Sequence, residues 1–481
     1  MATTISNVKE VYAIVTEITR EATGQNDITV VDTASFVDAG NRLFKATKDN
    51  VLGAITRFIV KNKYFDRAYK GRFGLISASE SEFNPLFRKI YNYTSRPTAS
   101  GAFNTDAYTN IKNGYDNGTN NGNSVGDMWE QNVPHIVEKY FIKEAAFDRG
   151  VTRPLVQLQD AFNSESDFMT FWNSVMNEIS NDIESQNEAI NRSIVANTIA
   201  QIYLTSPKGS KINLVTVINK MFGTNYTKTQ IKQSHDKEML EALVAQIKII
   251  SDRMAAERST NYHDPMTLEV SNGVYEDILR WTPKSEQKLM LFNEYLATAK
   301  TKVMPEIFNP QYLDIKNFEA VTYWQSSNDG DRTKIKARPA VEANPSTGEA
   351  VTANYVELDD VIGILFDTEK IRSTMQYEGV VDTPVEARKM YVNTWYHWKF
   401  GSISDPTENG VIFYLADLVS ADSTGDGTTK KFTVADKPAI IEKVTVDGTE
   451  VEVASYVQAT GVVTLTSAPA NNKAVKIYYE K

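Results

Sequence analysis

At 481 residues, with 41% hydrophobic and 23% charged side chains, the chain has length for about three domains and is too apolar for a disordered protein. A formal net charge of −10 and a pI near 5.2 exclude a protein whose main task is gripping nucleic acid through a broad basic face. The absence of cysteine removes disulfides, thiolate nucleophiles and Cys-based zinc sites.

The chain opens Met-Ala-Thr-Thr-Ile-Ser, without the basic and apolar parts of a signal peptide, and no window approaches ~18 uninterrupted apolar residues. A soluble cytoplasmic product with no membrane contact is therefore expected. Over residues 1–60 periodicity is weak. Val8, Val11, Tyr12 and Val15 suit a short helix, Ile28–Val31 a strand, and Phe36–Phe44 and Val51–Ile59 further helical or extended pieces. A basic run follows, with Phe58, Tyr64, Phe65, Tyr69 and Phe73 interleaved. Its Lys45, Arg57, Lys61, Lys63, Arg67, Lys70 and Arg72 are the candidate residues for facing a subunit interface or nucleic acid. Aromatics mixed with cations can stack on and neutralise nucleic acid. The same run also suits an arm that pairs with acidic surfaces of neighbouring subunits.

From Ser77 to Gly126 the chain turns polar, and residues 113–126 are almost wholly Asn, Gly, Ser, Thr and Asp. Such a segment cannot build a packed core. Its flanks, Phe83–Tyr93 and Trp129–Phe147, are apolar enough to be the extended arms of a long hairpin that reaches outward to a partner. Ser164–Thr205 then reads as one amphipathic helix: Phe168, Phe171, Trp172, Val175, Ile179, Ile183, Ile190, Ile194, Ile199 and Ile202 recur on one stripe. Ser164 and Asp167 suit its start and Pro207 and Gly209 its stop. About 40 residues at roughly 1.5 Å each make a rod of about 60 Å, more than one core requires. A long core helix of an ordinary α+β enzyme or half of a coiled coil are the alternatives, but an a/d seam with flanking e/g charges is not sustained.

Beyond it, Leu214–Phe222 and Asp236–Arg258 read as helices, Met266–Val270 as extended, Val274–Trp281 as helical, Lys288–Phe292 as extended and Asn293–Thr301 as helical. Leu313–Trp324 and Val361–Phe366 look like buried strands, with Asn328–Asn354 an exposed excursion between them. From about Asp417 the text becomes strand, turn, strand, with Asp447-Gly448 as a hairpin turn and Ser420–Thr429 as a polar linker. This last piece predicts a small all-β sandwich.

Catalytic signatures are missing. His135, His235, His263 and His397 show no metal-ligand spacing, and G-x-S-x-G, G-x-x-x-x-G-K and G-x-G-x-x-G do not occur. Asp359-Asp360 with Asp405 suggests a glycosidase acid pair only weakly, and turn residues beside strands are the simpler reading. Asp422, Asp426 and Gly427 lack the spacing and distal Glu of a calcium loop. Tyr391–Phe400 is either a ligand-stacking box or, from its alternation of bulky residues, a buried strand.

An apolar strand running into Asp, Val361-Ile-Gly-Ile-Leu-Phe-Asp367, is followed by Tyr391-Val-Asn-Thr-Trp-Tyr-His-Trp-Lys-Phe400 and Gly410-Val-Ile-Phe-Tyr-Leu415. These motifs, in this order behind an arm, a long loop and a spine helix, resemble a tailed-phage major capsid protein of the Hong Kong 97 type, most similar to those of short-tailed, picovirus-type phages. The resemblance covers residues 1–416. It implies an α+β Hong Kong 97-like capsid fold: an N-terminal arm at 1–60, the E-loop region and start of the peripheral domain at 61–163, and the spine helix at 164–209. An axial domain with insertions then spans 210–380, a return to the peripheral domain 381–416, and an appended immunoglobulin-like β-sandwich 417–481. The function it implies is a subunit that self-assembles, as pentamers and hexamers, into the icosahedral head shell around double-stranded DNA. It is no enzyme and carries no cofactor or metal. Portal, scaffold or auxiliary head proteins are implied as partners, packaged DNA as a weak non-specific one, and the virion as the location after assembly in the host cytoplasm. Some family members begin with a cleaved scaffolding segment that has no counterpart here. A bacterial surface or adhesion protein with a carbohydrate-binding C-terminal domain is the alternative from a different class.

Overall fold

The computed structural model describes residues 8–23, 29–45, 73–77, 87–93, 135–141, 144–154, 165–271, 274–295, 317–339, 355–386, 388–438, 440–457 and 460–480. Helices α1 (Val8–Thr23) and α2 (Thr33–Lys45) come first, then strands β1 (Phe87–Tyr93), β2 (His135–Phe141) and β3 (Glu144–Pro154) and the long helix α3 (Glu165–Thr205). β4 (Lys211–Asn213) leads into α4 (Leu214–Phe222), α5 (Lys228–Ser234) and α6 (Asp236–Ala256). Strands β5 (Thr267–Ser271), β6 (Val274–Asp277), β7 (Gln287–Phe292), β8 (Asn317–Val321), β9 (Ile335–Ala337) and β10 (Val356–Leu358) follow. Next are β11 (Val361–Asp367), β12 (Ile371–Asp382), β13 (Tyr391–Ser404) and β14 (Gly410–Tyr414). The chain closes with β15 (Leu418–Thr424), β16 (Lys431–Thr433), β17 (Ile441–Val446), β18 (Thr449–Val451), β19 (Val453–Val457), β20 (Val462–Leu465) and β21 (Ala474–Glu480).

A five-stranded sheet, β4-β14-β11-β7-β8, carries the body. Its three middle strands are antiparallel and its two edges pair in parallel. Strand side chains alternate, so a sheet covered on both faces needs apolar residues at every position, and β11 and β14 are buried along their whole length. Leu289, Leu291, Leu365, Val411 and Phe413 meet Leu240, Leu243 and Ile247 of α6 and Leu214 and Ile218 of α4 on one face. Met290, Ile364, Phe366, Ile412 and Tyr414 meet Ile194, Val195, Ile199 and Ile202 of α3 on the other. Each such fully buried side chain contributes about 1.5–3 kcal/mol.

The 41-residue α3 serves two cores. Its last turns lie under the five-stranded sheet, while Ile179 and Ile183 pack under Tyr396, Trp398 and Phe400 of a second sheet, β12-β13-β3. A rod longer than one core is thus explained by its spanning two. Between them Arg192 donates to Glu188 at 3.1 Å, and its guanidinium lies 3.5 Å from the Tyr323 ring centroid and 4.8 Å from that of Phe73.

Several expectations change. Ile28–Val31 was expected as a strand, yet the described residues 29–32 are irregular. The N–H groups of Val31 and Asp32 both donate to Ser35 Oγ at 2.9 Å, and Ser35 N donates to Asp32 Oδ1, an arrangement that starts α2. α1 and α2 pack on each other, with Val11, Val15, Ile18 and Phe36 fully buried and the Tyr12 and Phe36 rings 6.4 Å apart. Val274–Trp281 is not a helix, because β6 pairs antiparallel with β5. The Val274, Ile278, Trp281 spacing imitated a helical stripe. Within Asn328–Asn354, residues 335–337 return as β9, which pairs with β10 and buries Ile335 and Ala337.

The C-terminal strands make two sheets, β15-β21-β17-β18 and β16-β20-β19, sharing a core of Phe432, Val434, Val444, Val463, Leu465, Val475 and Ile477. Asp447 (φ 50°) and Gly448 (φ 83°) make the left-handed two-residue turn that their sequence predicts. Ser420–Thr424, expected as linker, is instead part of β15, in register with β21 from Leu418↔Glu480 to Thr424↔Ala474. Its small polar side chains suit a strand exposed on alternate positions.

Candidate assembly surfaces

The hairpin β1–β2 is in antiparallel register from Phe87↔Phe141 to Tyr93↔His135, with residues 94–134 outside the described residues. Alternation gives it two unlike faces. Lys89 and Tyr91 point to the body, where Lys89 Nζ lies 3.1 Å from Asp405 Oδ2 and 3.5 Å from Glu408 Oε1. Tyr91 Oη donates to Asp405 Oδ2 at 2.7 Å, and the Arg280 guanidinium sits 4.7 Å from the Tyr91 ring centroid.

Asp405 is fully buried and also accepts from Thr407 N (3.0 Å) and Thr407 Oγ1 (2.8 Å). Beside it the buried Lys370 ammonium donates to the Glu408 carbonyl at 2.7 Å, with the Asp405 and Pro406 carbonyls at 3.3 and 3.4 Å. Burial pushes Lys370 below the usual lysine range. Burial and then the neighbouring Asp405 push the Tyr91 phenol well above its ordinary value, so it stays a donor. Burial also raises Glu408, against the pull of Arg280 and Lys89. Removing one charged member of a buried set like this leaves its partners without their counter-charge, at a cost of about 3–5 kcal/mol. The hairpin root is therefore fixed.

The opposite face of the hairpin is bare among the described residues: Ile90 is 56% exposed, Ile136 61% and Tyr140 51%. Arg88 and Glu138 pair across this face, with the Arg88 guanidinium 5.9 Å from the Tyr140 ring centroid. A second bare apolar face lies on β12-β13-β3, where Tyr377, Val381 and Trp395 are exposed. The Trp395 ring lies over Gly150, where an added Cβ would come within 3.1 Å of it, so glycine there lets the indole lie flat.

Of the candidate basic residues, Lys45 closes α2, while Arg57, Lys61, Lys63, Arg67, Lys70 and Arg72 lie outside the described residues, as does the polar stretch 113–126. Asp405 and Asp360 belong to separate networks. Asp360 accepts from Lys232 Nζ (2.6 Å) and pairs with Lys228 (3.0 Å). Burial opposes its charge, but these two ammonium groups hold its carboxyl below the usual range. His263 is buried with its ring nitrogens on the Asp264 and Ser259 carbonyls, and His235 stacks on Tyr226 at 3.8 Å. Asp426 accepts from Thr428 N and Thr429 N, an Asx turn. Among the described residues no group of three or more His, Cys, Asp or Glu could hold a metal ion, and no helix is long and apolar enough to cross a membrane. Tyr391–Phe400 is the strand that its alternation of bulky residues predicts: Tyr396, Trp398 and Phe400 are core, while Trp395 faces out. Sequence reasoning missed Lys89, Tyr91, Arg280, Lys370 and Glu408, which come together from separate stretches of chain with no local motif.

A family model described as Phi29-like phage major capsid protein matches residues 12–414. Among solved structures, the chain is similar to the capsid of Staphylococcus phage Andhra at 12% identity, over 73% of this chain and 86% of that one, with a TM-score of 0.44. It is similar to the capsid of the cyanophage P-SCSP1u at 13% identity, over 73% and 90%, with a TM-score of 0.37. The head structure of Helicobacter pylori bacteriophage KHP40 is similar at 11% identity, over 73% and 93%, with a TM-score of 0.34. No curated protein matches.

Proposed function

Since the chain belongs to the Phi29-like phage major capsid protein family and is a structural protein of the phage head shell, we propose that it builds this shell as a Hong Kong 97-type subunit. In this reading β1–β2 is the root of the E-loop, α3 with β12-β13-β3 is the peripheral domain, and the five-stranded sheet is the axial domain. The observation that carries it is the two-faced hairpin: Lys89 and Tyr91 fasten one face to Asp405, while Ile90, Ile136 and Tyr140 leave the other open. An apolar face held away from its own core favours contact with another copy of the chain.

Pentamers and hexamers of such subunits would close an icosahedral shell around double-stranded DNA, and the basic run from Lys45 to Arg72 would give that DNA a weak, salt-dependent contact. Residues 417–481 would be an immunoglobulin-like sandwich displayed on the outside, and portal and scaffold proteins would complete the head. Electron microscopy of the expressed chain, alone and with a scaffold protein, tests this. Closed shells of uniform diameter are expected, and a monomer under every assembly condition would overturn it.

A further inference from the structure

The two C-terminal sheets share their own core, and a unit of that kind could hang on the body by a loose tether. The joint is built otherwise. Leu415 and Ala416, which carry the chain across, are buried. Leu415 N donates to the Asp360 carbonyl at 2.9 Å, Ala416 N donates to Asn213 Oδ1 at 3.2 Å, and the Ala416 carbonyl accepts from Asn213 Nδ2 at 2.9 Å. The next residue, Asp417, accepts from Lys228 N of α5 at 2.6 Å through its Oδ1. β15 begins one residue later, so every residue that could serve as a hinge between body and unit is already bonded to the body.

Two more strands of the same sheet meet the body at this end, because the register sets Leu418 opposite Glu480 and Ile441 opposite Tyr479. Glu480 of β21 is 4% exposed. Its Oε2 accepts from Tyr414 Oη of β14 at 2.6 Å and its Oε1 from Asn213 Nδ2 of β4 at 3.0 Å, so the body supplies a donor to each carboxylate oxygen. A buried carboxylate is tolerated where donors are held in place for it. Both are held: Asn213 Oδ1 caps α4 through Val215 N, and the ring of Tyr203 on α3 packs edge-on against Tyr414 at 5.6 Å. Just before β17, Ile440 is buried in the α3 core. Lys208 Nζ then reaches both the Glu442 carbonyl, at 3.1 Å, and Glu442 Oε2, at 2.9 Å.

We propose that residues 417–480 stand end-on on the body as a rigid post, with the Glu480 carboxylate as the clasp that fixes its direction. β15 and β21, of seven residues each, carry the far end of the unit roughly 20 Å from the joint. The turns at that end are tied to one another. Gly425 N donates to the Lys473 carbonyl at 2.8 Å, Asn472 N to the Gly425 carbonyl at 3.0 Å and Asp447 N to the Ala474 carbonyl at 2.9 Å, and Lys473 pairs with Asp447. A swinging unit would sweep these turns through many directions, whereas a clasped one holds them at one place relative to the body. In the shell proposed above, every copy would then present the same turns in the same pose. The clasp itself is a property of the single chain and does not rest on that reading.

The absence of cysteine lets two be introduced and spin-labelled without background. The test uses the full-length soluble subunit carrying Thr449→Cys beside the far turns and Lys248→Cys on α6, both at exposed positions, and measures the distance between the labels by pulsed electron paramagnetic resonance. A single narrow distance distribution is expected. Glu480→Ala removes the clasp, so the distribution should broaden, and hydrogen exchange at Ala416 and at the end of β21 should quicken by about tenfold. Tyr414→Phe keeps the ring and takes away one donor; it should quicken the same amides and serves if Glu480→Ala does not fold. A broad distribution in the parent protein would overturn the post. A folded clasp variant whose distribution and exchange both match the parent would overturn the clasp.

Discussion

The five-stranded sheet and the β1–β2 hairpin are attached by opposite physics. β11 and β14 bury every side chain between two helical layers, so the sheet is held by apolar area and has no face left for a partner. The hairpin is held at one face by Lys89, Tyr91 and Asp405 and leaves its apolar residues on the other. Burial without direction makes a stable body, while a polar root fixes where an apolar face points. A shell subunit needs both, because assembly energy is useful only when it is aimed.

The largest effect should come from the body. Phe413→Ala opens a cavity between β14 and the α4–α6 layer and should cost about 3–5 kcal/mol, read as a lowered urea midpoint of the soluble subunit. A loss under about 1 kcal/mol would show a body that repacks freely, and the contrast with the hairpin would collapse.

Next comes the hairpin root. Tyr91→Phe removes one hydrogen bond to a buried carboxylate, worth about 1.5–3 kcal/mol, and the loss should appear as faster hydrogen exchange in β1 and β2 with the global midpoint little moved. If the global midpoint falls as far as for Phe413→Ala, the hairpin is part of the core and not a separately anchored element.

A smaller effect sharpens the same contrast within the body, at the buried Asp360 carboxylate. Lys232 and Lys228 hold the Asp360 carboxyl below its ordinary value against its burial, so its stabilisation is present above the ordinary carboxylate range and is lost as pH falls through the lowered value. With both lysines partly exposed, about 1 kcal/mol is expected. Urea midpoints of wild type and Asp360→Asn should differ at pH 7 and converge in acid. A constant difference at all pH values would assign the effect to packing. Smallest of all, Ile90→Ser should change subunit stability by no more than about 0.5 kcal/mol, because its side chain contacts solvent in the isolated chain.

What was legible in the sequence was whatever repeats locally. Ile179, Ile183, Ile194 and Ile202 announced α3 through their spacing, Val361–Asp367 announced a strand buried on both faces, and Asp447-Gly448 announced its turn. β6 was misread because Val274, Ile278 and Trp281 also fit a helical stripe, and only the edge offered by β5 decides between them. β15 was misread because strands with one exposed face can be as polar as linkers, and its partner β21 lies some fifty residues on. The flanks of the polar stretch were recognisable as hairpin arms, but the root network was not. Lys89, Arg280, Lys370, Asp405 and Glu408 are ordinary surface residue types in sequence, and only the return of β12–β13 to the hairpin makes them one buried cluster.

The central claim is that the bare hairpin face joins one subunit to the next. The most direct measurement is sedimentation velocity, with electron microscopy of the products, on wild type and Ile90→Asp/Ile136→Asp under identical assembly conditions. The account predicts that the double variant melts like wild type and remains unassembled. Shells from the double variant at wild-type yield would contradict it.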